Sequence, residues 1–139
     1  MAYTKDGGRK ITVYLAGPMP TEGNWREKIK ESLPADIYRF YDPVILEVEP
    51  LTDHSIVNLD KVLITRSDLV IVNVTRLSHG TAMEIAFCQE NNIPCLVIFP
   101  EGKNSGPWGR YHSSGDFKSI KDCLKFVREI FEKKICDFE

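Results

Sequence analysis

The chain has 139 residues, of which 42% are hydrophobic and 27% are charged, and its formal net charge is −2. These values are typical of one globular domain, and they give no reason to expect nucleic acid as a partner, because that role normally requires a basic surface. We therefore expect residues 1–139 to form a single domain, with the polar residues 1–10 as a loose tail.

The same composition argues against metal chemistry and against the membrane. The four cysteines are far apart and lack the C-x-x-C spacing of a metal site, so we expect neither a metal nor a cofactor. No apolar stretch approaches the roughly 18 residues of a membrane span. The apolar run before Gly17 is too short for a signal peptide, and we expect a cytoplasmic protein.

Short apolar segments alternate with amphipathic segments in the first half of the chain. Ile11 to Ala16 predicts a buried strand that ends at Gly17-Pro18. A helix capped by Asn24 and continuing through Leu33 is predicted next, followed by a strand from Ile37 to Tyr41. A further helix is predicted from about Ser55 to Arg66.

The second half continues this alternation. Asp68 to Val74 is the clearest strand, and it is followed by a predicted helix from about Thr81 to Asn91 and a strand from Pro94 to Phe99. Residues 100–116 are rich in glycine and proline and predict a long loop. The last predicted helix extends from about Phe117 to Lys134.

This alternation predicts an α/β fold in which helices cover both faces of a parallel sheet. We expect a three-layer sandwich similar to the flavodoxin and Rossmann folds, with four to five strands. Ligands of such sheets bind outside the carboxyl ends of the strands. We therefore expect the functional site at the turns that follow Ala16, Tyr41, Val74 and Phe99.

The turn after the clearest strand has the sequence TRLSHGTAME and ends at Glu84. Gly80 permits a tight turn, and the free amides at the start of the following helix favour an anion. A carboxylate in the first helical turn is biased towards its ionised form and can attack an electron-poor sugar carbon. The spacing Thr81-x-x-Glu84 also fits a capping box, in which Glu84 only accepts a backbone N–H. The spacing alone leaves both interpretations open.

Four features follow one another between Val13 and about Phe99. They are the motif Tyr14-Leu15-Ala16-Gly17-Pro18, then Asp60, then SDLVIV at residues 67–72, and finally Gly80-Thr81-Ala82-Met83-Glu84-Ile85. In this order and spacing they resemble the nucleoside 2-deoxyribosyltransferase superfamily, which includes nucleoside 5′-monophosphate N-glycosidases.

The resemblance implies a mechanism. Glu84 attacks C1′ of a sugar, the base leaves, and water or a second base resolves the covalent glycosyl-enzyme. Asp60 protonates or positions the leaving base, although without the resemblance it would be interpreted as a solvated helix residue. Tyr14 is placed either to hold Glu84 or to be a core residue with a satisfied hydroxyl group. Gly17 is expected to allow a close backbone approach.

Ser78 is the position at which the resemblance separates two activities. The transferases carry an acidic residue there that binds a free 5′-hydroxyl, whereas the monophosphate hydrolases carry serine. A hydroxyl donates to a phosphate that an acidic side chain would repel, so we expect Ser78, His79 and the amides of Gly80 and Thr81 to bind a 5′-phosphate. Residues 19–24 (MPTEGN) depart from the arginine- and glycine-rich stretch of the hydrolases.

The late glycine-rich segment contributes two further candidates, Ser105 and Trp108. The resemblance implies that this region of a neighbouring subunit completes the site, so we expect a homodimer or a higher homo-oligomer with shared active sites. Trp108 is expected either to stack on a base or to pack at the subunit interface.

The favoured function is therefore cleavage of the N-glycosidic bond of a (2′-deoxy)nucleoside 5′-monophosphate through a glycosyl-Glu84 intermediate. Two enzymes remain as alternatives: a nucleoside 2-deoxyribosyltransferase, and a cytokinin-activating phosphoribohydrolase, whose similar turn usually contains more glycines. A nucleotide-binding module without turnover is the alternative from another class.

Overall fold

The computed structural model describes residues 9–18, 24–43, 52–76, 78–100 and 106–136. Most of the expected tail lies outside the described residues, as do residues 19–23 and the candidate Ser105.

The sheet contains five parallel strands, and β1, β3 and β4 are buried along their whole length. This burial follows from their mainly apolar sequences, which suit a sheet covered on both faces. The strand order is β2-β1-β3-β4-β5. The bounds are β1 (Ile11–Ala16), β2 (Tyr38–Tyr41), β3 (Leu69–Asn73), β4 (Cys95–Ile98) and β5 (Gly115–Phe117).

The helices lie in two layers. Their bounds are α1 (Trp25–Ser32), α2 (Asp53–Thr65), α3 (His79–Glu90), α4 (Gly106–His112) and α5 (Ile120–Cys136). Leu15 and Ile71 pack with α1 and α5 on one face of the sheet, and Tyr14 and Val72 pack with α2 and α3 on the other. The expected three-layer α/β sandwich is confirmed, with five strands.

The order of the strands creates a crevice between β1 and β3, at the carboxyl-terminal end of the sheet. The chain passes from β1 to β2 on one side and later returns to β3 on the other side of β1. Connections on opposite faces diverge at such a switch point and leave room for a ligand at the carboxyl ends of the strands. Gly17 follows β1 and Asn73 ends β3, so both residues flank this crevice.

The helix ends differ from the predicted ones because of their caps. Asn24 precedes α1 but makes no side-chain capping bond. The Thr52 hydroxyl accepts a hydrogen bond from the Ser55 amide, so α2 begins at Asp53. Ser78 caps α3, which therefore begins at His79, two residues earlier than predicted.

The prediction of a long loop over residues 100–116 was wrong in its second half. Gly106–His112 forms α4, and β5 pairs with β4 through Leu96↔Gly115. A Cβ atom at Gly115 would lie 3.3 Å from Leu96 Cδ2, so glycine permits the strands to approach closely there. Phe117 consequently belongs to β5, and the last helix begins at Ile120.

Asp68 bonds both to the first strand and to Arg9, which precedes that strand by two residues. Its Oδ2 accepts a hydrogen bond from the Thr12 amide at 2.8 Å, and Oδ1 pairs with Arg9. Arg9 is thus tied to the domain, although the sequence placed it in the loose tail. In the described ranges, no helix is long and apolar enough to cross a membrane.

Candidate active site

A cavity of about 500 Å³ lies between α2 and α3. Three acidic residues line it, Asp60 from α2 and Glu84 and Glu90 from α3, and Lys61 and Gly80 line it as well. The remaining wall is largely apolar and includes Ile56, Val57, Ile64, Met83 and Phe87. The two acidic residues singled out from the sequence therefore face one cavity.

Tyr14 connects the sheet to this cavity. Its side chain is fully buried in β1 and points to the face covered by α2 and α3. The hydroxyl donates a hydrogen bond of 2.9 Å to Glu84 Oε2, which is one of the two arrangements that the sequence left open for Tyr14. Burial raises the pKa of Tyr14 above its ordinary value, and the charges of Glu84 and Asp60 raise it further. Tyr14 is therefore a permanent hydrogen-bond donor to Glu84.

The position of Glu84 excludes the capping-box interpretation. The cap of α3 is Ser78, whose hydroxyl accepts from the Thr81 amide at 3.4 Å. Thr81 thus lies inside the helix, and the Glu84 carboxylate accepts from Tyr14 instead of from a backbone N–H near the cap. Glu84 lies in the second turn of α3, one turn deeper than the sequence indicated.

This depth also changes the electrostatics of Glu84. Its pKa is raised to about 7, chiefly by burial; the Tyr14 hydrogen bond lowers the pKa, the nearby Asp60 charge raises it, and the Arg26 charge lowers it. The expectation that the helix start biases Glu84 towards ionisation was wrong, because the dipole effect is confined to the first turn and desolvation is larger here.

The start of α3 lies beside the cavity. Ser78 is half-buried, while His79 and Gly80 are exposed. The Thr81 amide is already bonded to Ser78, so it is not free in the way the sequence suggested. The Ser78 hydroxyl accepts this bond and keeps its own proton for donation. There is free space beside the Gly80 Cα, because the Ser78 Oγ, at 3.9 Å, is the contact that a Cβ atom there would make.

Gly17 has a packing role that the sequence did not specify. A Cβ atom at this position would lie 2.8 Å from Trp25 Cζ2 and 3.0 Å from the Asn73 carbonyl oxygen. Glycine at position 17 therefore allows α1 and β3 to pack closely against the end of β1, which is the close backbone approach expected there.

Trp108 lies away from the cavity that contains Glu84. Its side chain is 80% exposed, and with Tyr111 and His112 it lines a separate cavity of about 360 Å³. The rings of Trp108 and His112 are stacked, with centroids 6.0 Å apart. The structure of this chain does not bring Trp108 together with Asp60 and Glu84, which line the other cavity.

Two buried polar residues near the site, Arg26 and Asn73, were not predicted from the sequence; they are 5% and 3% exposed. Arg26 lies over the Trp25 ring at 4.3 Å, and its Nε is 3.5 Å from Asp42 Oδ1. Burial lowers the pKa of Arg26, whereas the charges of Asp42 and Glu84 raise it. Two features of the sequence could have identified them: Asn73 is a polar residue that ends an apolar strand, and Arg26 lies in the first turn of the helix that follows β1.

Comparisons with known proteins give one family and one fold for the chain. The family model of nucleoside 2-deoxyribosyltransferase matches residues 13–131. No curated protein sequence matches the chain.

Solved structures share the fold at low sequence identity. A conserved protein from Enterococcus faecalis V583 has a TM-score of 0.70 at 14% identity, covering 87% of this chain and 99% of that one. A 2-deoxyribosyltransferase from Bacillus psychrosaccharolyticus has a TM-score of 0.68 at 16% identity, covering 81% and 89%. A 2-desoxiribosyltransferase from Leishmania mexicana has a TM-score of 0.65 at 17% identity, covering 86% and 98%.

Proposed function

Because the chain belongs to the nucleoside 2-deoxyribosyltransferase family, a family of enzymes, we propose that it cleaves the N-glycosidic bond of a (2′-deoxy)nucleoside 5′-monophosphate. The products are the free base and the sugar phosphate. The observation that carries this proposal is the Tyr14–Glu84 hydrogen bond at the wall of a cavity that also contains Asp60.

Glu84 is the nucleophile in this reaction. Tyr14 holds Oε2, which leaves Oε1 to form the bond to C1′. With a pKa of about 7, a substantial fraction of Glu84 is ionised at neutral pH, and the low-solvation environment that raises this pKa also makes the carboxylate more reactive. As the Oε1–C1′ bond forms, the C1′–N bond breaks and its electron pair leaves with the base.

Asp60 is placed to assist the departure of the base. The Asp60 carboxylate orients the base by accepting a hydrogen bond from it, and the departing base takes up a proton from solvent. A water molecule then attacks C1′, Asp60 accepts its proton and passes it to solvent, and the bond between C1′ and Glu84 breaks. This regenerates both carboxylates, as in retaining glycosidases.

The start of α3 supports a phosphate on the substrate. Ser78 retains a hydroxyl proton, and the exposed Gly80 leaves its side of the helix terminus open to an anion. The aromatic side chains Trp108 and Tyr111, 80% and 71% exposed, support a homodimer or larger assembly in which α4 of one protomer covers the site of another.

The test is a panel of nucleosides and their 5′-monophosphates, incubated with and without an added purine acceptor and separated by chromatography. We expect free base to appear from monophosphates without an acceptor. Glu84→Ala abolishes this release, whereas Glu129→Gln, an exposed carboxylate on α5, leaves it unchanged. Normal turnover by Glu84→Ala would refute the assignment of the nucleophile.

A deoxyribosyltransferase is the second candidate, and it is favoured by the two structural neighbours that are named as such enzymes, from Bacillus psychrosaccharolyticus and Leishmania mexicana. Base exchange that requires an acceptor and proceeds on nucleosides without phosphate would establish this activity. Binding of nucleotides without release of any base would instead identify a non-catalytic module.

A further inference from the structure

Three neighbouring side chains in the switch-point crevice have buried polar atoms without hydrogen-bond partners. Among the described residues, the atoms of this kind are Trp25 Nε1, Arg26 Nε and Nη1, and Asn73 Oδ1. Buried polar groups are almost always satisfied in native proteins, and leaving a charged group unsatisfied is especially unfavourable. A set of such atoms in one place therefore indicates a missing ligand group.

These side chains come from both sides of the crevice and meet around Gly17. Arg26 Nη2 lies 3.5 Å from the Gly17 carbonyl oxygen, and the Trp25 ring and the Asn73 backbone approach the Gly17 Cα from α1 and β3. Trp25 and Arg26 are the first two residues of α1, and Asn73 is the last residue of β3. The unsatisfied atoms thus lie where a sheet of this topology binds its ligands.

Arg26 retains donors for an anion although carboxylates lie near it. Asp42 is 3% exposed and faces two cations, since its Oδ1 lies 3.5 Å from Arg26 Nε and its Oδ2 lies 2.7 Å from Lys30 Nζ. The charge of Glu84 also acts on Arg26. Neither carboxylate satisfies the hydrogen bonding of Arg26, whose Nε and Nη1 lack hydrogen-bond partners and can donate to a group rich in acceptor oxygens.

We propose that Trp25, Arg26 and Asn73 form the subsite for a sugar phosphate, in which the N–H groups of Arg26 and Trp25 donate to phosphate oxygens and Asn73 Oδ1 accepts from a sugar hydroxyl. This inference deepens the proposed function, on which it rests, because it assigns the cation that a monophosphate requires beside Asp60 and Glu84. It also explains how the chain compensates for the missing arginine in residues 19–24.

The chemistry of the three side chains limits the ligand. Guanidinium and indole N–H groups are donors only, so they require a group rich in acceptor oxygens. The planar guanidinium matches a phosphate with two parallel hydrogen bonds, whereas lysine offers only a point charge. A neutral nucleoside lacks the anionic group, so it gains little from Arg26.

Binding is tested by calorimetric titration with ribose 5-phosphate, inorganic phosphate and ribose, using the full chain and the variants Arg26→Met and Arg26→Lys. We expect ribose 5-phosphate to bind more tightly than phosphate alone, and ribose to bind weakly. Loss of a charge-assisted pair of hydrogen bonds predicts a decrease in ribose 5-phosphate affinity of about 10- to 100-fold in Arg26→Met. Arg26→Lys retains the charge but lacks the planar guanidinium, so it tests the same contact if Arg26→Met does not fold.

Lys28→Met is the matched control, because it removes the same charge from an exposed position on the same helix. It should change the affinity by less than about twofold, as exposed charges are screened. Unchanged ribose 5-phosphate binding in both Arg26 variants, or no binding by the unmodified chain, would overturn the subsite.

Glu84→Gln separates this inference from the proposed function. If it binds ribose 5-phosphate normally and the Arg26 variants do not, the subsite stands even when no substrate is cleaved. If the enzyme cleaves nucleosides and monophosphates equally well and the Arg26 variants leave both KM values unchanged, the glycosidase activity stands and the subsite is wrong.

Discussion

Glu84 should destabilise the folded protein at neutral and alkaline pH, and Glu84→Gln should remove this effect. The pKa of Glu84 is raised from 4.5 to about 7 because its burial disfavours the charged form. A folded-state pKa above the unfolded-state value means that the favourable contribution is complete below pH 4.5 and is lost as the pH rises to about 7. The loss amounts to about 3 kcal/mol.

The measurement is urea denaturation of the unmodified protein and of Glu84→Gln between pH 4.5 and 8.5, with the free energy of unfolding extrapolated to water. We expect the two proteins to be similarly stable near pH 4.5, and Glu84→Gln to be more stable by about 3 kcal/mol above pH 7.5. All other titrating groups are shared, so the difference isolates Glu84. Glu129→Gln should give a flat difference. A flat difference for Glu84→Gln as well would refute the desolvation argument.

Three further predictions concern the same region. Tyr14→Phe removes a hydrogen bond that lowers the pKa of Glu84, so the acid limb of the activity profile should move up by about 1–2 pH units, and activity should recover in alkaline buffer. Asp60→Asn removes a charge that raises this pKa, so the same limb should move to lower pH while release of poor leaving bases slows. Gly17→Ala should lower the free energy of unfolding by about 1–3 kcal/mol in chemical denaturation, because its Cβ would lie 2.8 Å from Trp25 Cζ2. Unchanged stability of Gly17→Ala would show that α1 moves freely relative to β1.

The sheet could be predicted from the sequence because its central strands are buried on both faces. Ile11–Ala16 is apolar except for Thr12, and Leu69–Asn73 is apolar up to its last residue. The helix between β1 and β2 carries an apolar stripe of Trp25, Ile29 and Leu33, all buried as expected. The element α4 could not be predicted, since it contains no buried residue and hence no periodic apolar pattern. The three-residue β5 depends on pairing with β4, which local sequence does not encode.

The site was predictable only as far as local motifs reach. Tyr14 and Glu84 were found from their neighbours, and their contact joins residues 70 positions apart. The raised pKa of Glu84 was not predictable, because it depends on how deeply α3 buries its second turn. Arg26 was missed for a similar reason. The burial of Arg26 depends on its ion pair with Asp42, which lies on a separate part of the chain, directly after β2.

The rim of the cavity between α2 and α3 and the buried Tyr14 that bonds to its Glu84 differ in their tolerance to change. Tyr14 lies on a central strand that pairs with a strand on each side, so mutations elsewhere should rarely displace it. Val57 and Met83 on the rim are 50% and 72% exposed, so their replacement costs little stability. Libraries intended to alter which bases the protein accepts should therefore vary the rim and leave the Tyr14–Glu84 pair fixed.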